Sequence, residues 1–362
     1  MTAITSQAHY KTIVAGSGPA GVMAAHQAAT SGPVLLCDAA SLPRDKSCGG
    51  MLNEYSQRFI ESRFGALPQD MILDPEWVNF RYHDWDRRVL KPTKLRFLNV
   101  KRREFDEWMT AQLPSSVRVE GSTAITGFEQ DSEGVRVRLK SGSIERVVTC
   151  ENLIGADGPR SGVRRQLGVG SVATYVTLQD FCTVEGELEP YFDCIYMRDI
   201  GDSFAYAYVV PKGPVAIVGS VFYPKTKRPH EKQEQVLERL RRSLPLGVSV
   251  RREAWVALSV RHPGDVMPGQ GRVLLAGEAG GFMSPSSGEG ISYALNTGWL
   301  AGSAVSDHTA NEALYQYQMS SLHVAKNIRR KLKWLPFMES RTGKYLAGFV
   351  PTPIVSKITE GL

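Results

Sequence analysis

The sequence predicts a mixed chain, α/β in one part and α+β in another, on three observations. From residue 11, "KTIVAGSGPAGVMAAHQAATSGPVLLCDAA" runs as apolar segment, glycine turn, alanine-rich segment and second apolar segment. Short runs rich in aromatic and β-branched residues recur near 72–100 and 172–262, punctuated by Gly, Pro and Asp. A stretch of alternating basic and apolar character closes the chain after residue 310. Strand, turn, helix and strand in that order point to a parallel sheet, and strand-like runs between turn residues point to an antiparallel one.

The first element is "TIVAG", a short apolar run that reads as a buried strand of a parallel sheet. "PAGVMAAHQAAT" then reads as a helix, with Gly32 as its stop. Between them Gly16, Gly18 and Gly21 hold the G-x-G-x-x-G spacing. Gly16 permits the tight turn, Gly18 lets backbone approach a pyrophosphate, and Gly21 lets helix pack closely on strand. The free N–H groups of the helix N-terminus face the same phosphates. "PVLLCD" is the second strand and ends in Asp38, 22 residues after Gly16, where an acid accepts hydrogen bonds from a ribose. The alternative is a plain glycine turn before a helix. The strand–turn–helix–strand–acid context favours a dinucleotide, and a single such fingerprint favours one long cofactor.

Three later stretches fit around the same cofactor. "VKRREFDEWMTAQL" is an amphipathic helix with Arg102 at its start, suited to a phosphate or a cofactor chain. "NLIGADGPRSGVRRQLG" is a strand, a turn and a helix start at Ser161. "GRVLLAGEAGGFMSPSSGEGISYALNTGWLAG" is a strand, a loop of glycine and serine, and a helix starting near Gly288 to Gly290. That helix N-terminus aims its amides at an electron-rich group.

Bulk properties narrow the class. The chain has 362 residues, 42% of them hydrophobic and 22% charged, enough for a normal core in one large or two smaller domains. A net charge of +6 is too small to argue for nucleic acid, and no aromatic-and-basic RNA-binding pattern appears. The five cysteines, Cys37, Cys48, Cys150, Cys182 and Cys194, are scattered, which argues against a disulfide scaffold and a zinc site. No secretory signal and no apolar run of membrane-spanning length is seen, so the cytoplasm is expected.

Taken in order, these stretches resemble FAD-dependent oxidoreductases of the p-hydroxybenzoate hydroxylase type. The "KSCGGML" segment narrows the resemblance to the geranylgeranyl reductase-like branch. It spans roughly residues 10 to 310. The implied fold is a Rossmann-type FAD-binding domain interleaved with an antiparallel-sheet substrate domain, followed by a C-terminal helical segment. The FAD-binding parts are 1–71, 100–171 and 265–309, the substrate parts 72–99 and 172–264, and the tail 310–362.

The resemblance implies site residues. Gly16, Gly18, Ala20 and Gly21 surround the pyrophosphate, and Asp38 binds the adenosine ribose. Lys46, Cys48 and Gly49 lie beside the flavin ring or ribityl chain, Arg102 meets the ribityl or phosphate region, and backbone at Ile125 touches adenine. Asp157 and Gly158 belong to the "GADG" segment used for cofactor contact, and Glu278 reaches the ribityl or pyrophosphate. Pro285, Gly288, Gly290 and Ile291 lie under the ring with amides near its pyrimidine edge, where donors stabilise the reduced form. Two departures stand out. Glu278 replaces the usual aspartate, and "YAYVVP" at Tyr206–Pro211 replaces the bulkier Tyr-x-Trp-x-Phe-Pro of the tunnel.

Cys48 and Tyr206 are the catalytic candidates, with Tyr208 a further proton donor; the bland readings are a small buried thiol and satisfied buried phenols. The implied reaction is hydride transfer to a carbon–carbon double bond of an isoprenoid or similar lipid. The alternative is a flavin monooxygenase, hydroxylating or halogenating a small aromatic. The electron donor is NAD(P)H or a reduced ferredoxin-like carrier. From His323 to Lys357 the tail holds Lys326, Arg329, Arg330, Lys331, Lys333, Arg341, Lys344 and Lys357 against one acid, Glu339. Trp334, Leu335, Phe337, Tyr345 and Phe349 interleave with them. Such a helix can rest peripherally on anionic lipid, or pack on the body with a solvated basic face.

Overall fold

The computed structural model describes residues 8–197, 200, 204–340, and beyond these 342, 343, 346, 349–351, 353, 354 and 362. Arg341, Lys344, Tyr345 and Lys357 of the basic tail lie outside the described residues. The first apolar run forms β1 (His9–Ala15), and "VLLC" forms β2 (Val34–Cys37), parallel to it. On the other side β1 pairs in parallel with β9 (Ile144–Gly155). The sheet extends through β6 (Val117–Glu120) beside β2 and β16 (Val273–Leu275) beside β9, again in parallel. β15 (Gly269–Gln270) caps one edge, and the hairpin of β7 (Ala124–Gln130) and β8 (Val135–Ser141) leans on β9. Chain order therefore reverses at β1, and the crevice at the carboxyl ends of such strands is where ligands bind.

Helix α1 (Pro19–Ala28) follows β1, with Gly18 as its N-cap and a proline in its first turn. It ends before Gly32, the expected stop, because Thr30 and Ser31 hydroxyls donate to the Gln27 and Ala28 carbonyls at 2.8 and 3.2 Å. Helix α1 lies against α6 (Ile291–Asp307) with little room between backbones. A Cβ on Gly298 would stand 2.2 Å from the Ala20 carbonyl oxygen, and one on Gly302 2.6 Å from that of Ala24. Small residues at this crossing bring the start of α6 beside the first glycine turn.

The second sheet has the order β14 (Leu246–Leu258), β10 (Thr174–Val184), β13 (Val215–Phe222), β12 (Phe204–Lys212), β11 (Tyr191–Tyr196), β4 (Ile72–Asp84), β5 (Val89–Val100), β3 (Met51–Leu52). It is not wholly antiparallel. β11 and β4 pair in parallel, because each ends a group built from a separate chain segment and no hairpin constrains them. Side chains alternate across the strands with period two. On β10, Leu178 and Cys182 pack with Val236, Leu237 and Leu240 of α5 (Pro229–Arg241). Tyr175, Thr177 and Gln179 turn to the opposite face, which walls a cavity.

Three further helices are α2 (Glu54–Phe64), α3 (Arg102–Ala111) and the short α4 (Gly162–Leu167). The chain then forms α7 (Ala313–Ser320) and α8 (Leu322–Glu339). Helix α8 buries Val324, Ile328, Lys331 and Leu335, so it packs on the body rather than standing free. Among the described residues no helix is long and apolar enough to cross a membrane.

Candidate active site

A cavity of about 2310 Å³ runs from the carboxyl ends of β1 and β2 to the face of the second sheet. A pocket for one small molecule is roughly 300–1,000 Å³, so this space takes a long cofactor and a substrate together. Every residue that the resemblance singles out lines it except Gly21. Gly21 sits behind the turn, where a Cβ would lie 1.7 Å from the Gly16 carbonyl oxygen, and its part is helix-on-strand packing. Gly16 has φ +96°, and a Cβ there would meet the Ala156 carbonyl oxygen at 2.5 Å. Gly18 faces the cavity, with the Arg44 guanidinium 3.1 Å from where its Cβ would stand.

Asp38 lies at one end of the cavity, with the Thr123–Ile125 segment beside it. Its Oδ2 accepts from the Ser17 N–H and hydroxyl, both at 2.8 Å, and from Arg44 Nε at 3.3 Å. Its Oδ1 accepts from the Ala40 N–H at 2.9 Å. Burial would raise this carboxyl's pKa, but the Ser17 and Ala40 amides and Arg44 outweigh it, and the group is held below the usual range. A carboxylate has about four lone-pair sites, so Oδ1 keeps one for a hydroxyl.

In the middle, Lys46 and Glu278 form an ion pair of 3.3 Å. Glu278 also accepts from the Leu258 N–H at 3.3 Å, at the end of β14. Arg102 is ion-paired to Asp106 one helical turn on, at 2.8 Å. Burial opposes its charge, yet Asp106 and the Cys48 thiol beside it raise its pKa overall. Cys48 is half-buried, and its sulfur accepts from the Gly50 N–H at 3.4 Å.

Asp157 lines the cavity together with Gly158, as part of the "GADG" segment. The carboxylate caps α4, accepting from the Ser161 hydroxyl at 2.5 Å and the Gly162 and Val163 N–H groups at 2.7 and 3.2 Å. Burial raises its pKa despite those donors. Gly158, with φ +76°, leaves the neighbouring wall open.

At the far end the loop from Pro285 to Gly290 leads into α6. Gly288 has φ +69°, and a Cβ there would come within 3.0 Å of the Tyr206 hydroxyl. Tyr206 donates to the Ser287 carbonyl at 3.1 Å, so it ties this loop to the second sheet. Burial raises its pKa well above the ordinary phenol value, and the proton stays on the oxygen. Two of the first α6 amides already have a partner within the chain. Glu289 turns back and accepts from the Ser292 N–H at 2.8 Å and the Ser292 hydroxyl at 2.6 Å, and Ile291 contributes a further backbone donor.

Sequence reasoning missed four residues. Arg44 and Glu289 act through local bonds already described. Gln179 links the Ser47 hydroxyl, at 2.5 Å, to the Tyr208 hydroxyl. Lys331 is not part of a solvated face; it is 3% exposed, and its Nζ donates to the Ser284 and Tyr293 hydroxyls at 3.2 and 3.1 Å. Its signal is spacing, since Val324, Ile328, Lys331 and Leu335 form one helical stripe.

The family described as FAD binding domain matches residues 9–331. The chain belongs to that family. Protein CbrA of Shigella sonnei is 29% identical over 294 residues, covering 80% of this chain and 82% of that one. A geranylgeranyl bacteriochlorophyll reductase-like protein from Thermoplasma acidophilum superposes with a TM-score of 0.81 at 17% identity, over 98% of this chain and 93% of that one. The flavin-dependent brominase Bmp2 gives 0.74 at 18% identity, over 94% and 89%. At such identities the two structures share the fold. This chain is one of the FAD-dependent oxidoreductases. The residues present fit FAD. An ionised acid, a glycine turn that a side chain would close and a glycine–proline loop follow one another along a single elongated cavity.

Proposed function

We propose that this FAD-dependent oxidoreductase reduces carbon–carbon double bonds of an isoprenoid or related lipid. The observation that carries this reading is the cavity wall beyond Gly288. Phe80, Phe97, Phe192, Tyr206 and Tyr208 of the second sheet line it. Among the described residues that sheet contributes only Lys94 and Arg96 as charged lining groups, and both lie exposed on β5. Such a wall suits an apolar chain and offers a carboxylate no buried partner.

In this reading Asp38 holds the adenosine ribose and the Gly16–Ala20 backbone the pyrophosphate, with Arg44 beside it. Lys46 and Arg102 would hold the linking chain, and Pro285, Gly288, Gly290 and Ile291 would hold the ring. Bound FAD supplies a hydride from its N5 atom. The second sheet holds the alkene close to that atom, and the strict positioning lowers the barrier for a poor hydride acceptor. The alkene carbon that does not take the hydride needs a proton, which would come from water or a tyrosine. Tyr206 and Tyr208 hold theirs on the wall, with burial raising both pKa values. Cys48, on the cavity wall, would stand beside the flavin and shape the approach of the substrate. NAD(P)H or a reduced ferredoxin-like carrier supplies the electrons.

The aromatic wall also supports a second reading, oxygen-dependent hydroxylation or halogenation of a small aromatic. Enzyme reduced without air separates the two. Mixing with a polyprenyl alcohol restores the oxidised spectrum and adds two mass units per bond reduced. Reoxidation that requires oxygen and yields a modified aromatic establishes the second reading instead.

A further inference from the structure

We infer that the solvent face of α8, at the mouth of the cavity, docks on an anionic lipid bilayer. The face opposite the buried stripe carries Lys326, Arg329, Arg330 and Lys333, all exposed. It ends in two exposed aromatic residues, Trp334 at 57% and Phe337 at 45%. The single acid of the helix, Glu339, is held by Arg261 through a two-point ion pair of 2.5 and 2.9 Å, so the helix's own carboxylate does not offset the basic face. Arg330, Trp334 and Phe337 also line the cavity, and Ile354, 49% exposed, lines it too. The basic face and the opening are thus one surface.

A face that only had to stay dissolved would not place its aromatic residues at the exposed end. Aromatic rings settle at headgroup depth, and lysine and arginine are drawn to anionic lipid. A bilayer also suits the chamber behind the opening, because an apolar molecule passing from membrane to aromatic wall need not cross water. Docking does not depend on the proposed chemistry, although it would deliver that substrate.

The test uses the purified holoprotein with vesicles of phosphatidylcholine, alone or mixed with phosphatidylglycerol. Binding is expected with phosphatidylglycerol and should weaken with salt. Brominated lipid should quench emission that disappears in Trp334→Phe. The combined variant Lys326→Gln, Arg329→Gln, Lys333→Gln should lower partitioning on the order of a hundredfold, about fivefold per charge. Its flavin absorbance reports that it is folded. Holoprotein that stays in the supernatant overturns the inference, as does a triple variant that binds like the parent. Lipid reduction in detergent by an enzyme that ignores vesicles would sink docking alone. Vesicle binding without lipid reduction would sink the chemistry alone.

Discussion

Lys46 Nζ lies 3.3 Å from Glu278 Oε1, joining residues 232 positions apart. The other Glu278 oxygen accepts from the Leu258 N–H, so one carboxylate ties the cysteine-bearing segment, the turn that follows β16 and the end of β14. An aspartate would fall about one bond length short of both partners. Glu278→Asp is therefore expected to weaken FAD binding by about 1–2 kcal/mol, roughly tenfold in Kd. Titration of apoprotein with FAD measures it, and equal affinity in the two proteins would show that the tripartite tie does not shape the cavity.

The crossing of α1 and α6 sets where two helix starts meet. Gly298→Ala puts a methyl 2.2 Å from backbone, which no side-chain motion can relieve. A loss of about 1–3 kcal/mol is expected, read as a lower denaturant midpoint. Gly264→Ala is the control, since a Cβ there meets nothing within 4 Å. Parity between these variants would mean that the helices separate freely.

Lys212 gives a pH-dependent signature. Its Nζ donates to Asn99 Oδ1 at 2.5 Å and to the Gly50 and Val100 carbonyls, each at 3.2 Å. Burial nevertheless lowers its pKa to about 7, with Cys48 acting the other way. Between about pH 7 and the ordinary lysine value of about 10.4, the unfolded chain holds a proton that the folded protein has released. Stability therefore rises with pH across that window, by on the order of a few kcal/mol, and the penalty is fully present below it. Lys212→Met should abolish the rise. Urea midpoints at about pH 7 and pH 9.5 decide the matter, and the same slope in both proteins would falsify the assignment.

What the sequence discloses tracks how local the physics is. Gly16, Gly18 and Asp38 are legible because a tight turn, a close approach and a strand-end acid each demand a residue type at a fixed spacing. The parallel pairing of β11 with β4 is not, because it joins segments about a hundred residues apart with no turn between them. The bonding of Asp157 is hidden for a related reason. Its motif marks the place, but three donors of the following turn claim its carboxylate. Lys331 was readable as a lysine on an apolar stripe, whereas its partners Ser284 and Tyr293 lie 47 and 38 residues away and leave no local trace.

Glu289 offers the most direct test of where the ring lies. Burial raises its pKa against the Ser292 donors and Lys331. For an acid with a raised folded value, the folded state holds the extra proton, so stability falls as pH rises from the ordinary value of about 4.3 through the raised one. Glu289→Gln should flatten that fall, whereas Glu289→Ala also loses the cap of α6 and costs about 1 kcal/mol. The flavin should respond as well. At alkaline pH the ionised carboxylate, next to Gly288, opposes the arrival of electrons on a ring seated against that loop. Removing the charge should raise the two-electron potential on the order of 30 mV, equivalent to about 1.4 kcal/mol. Near acid pH, where the parent is protonated, the two potentials should converge. An identical potential at alkaline pH would place the ring away from Gly288, and the aromatic wall would then lie too far from the hydride to act on it.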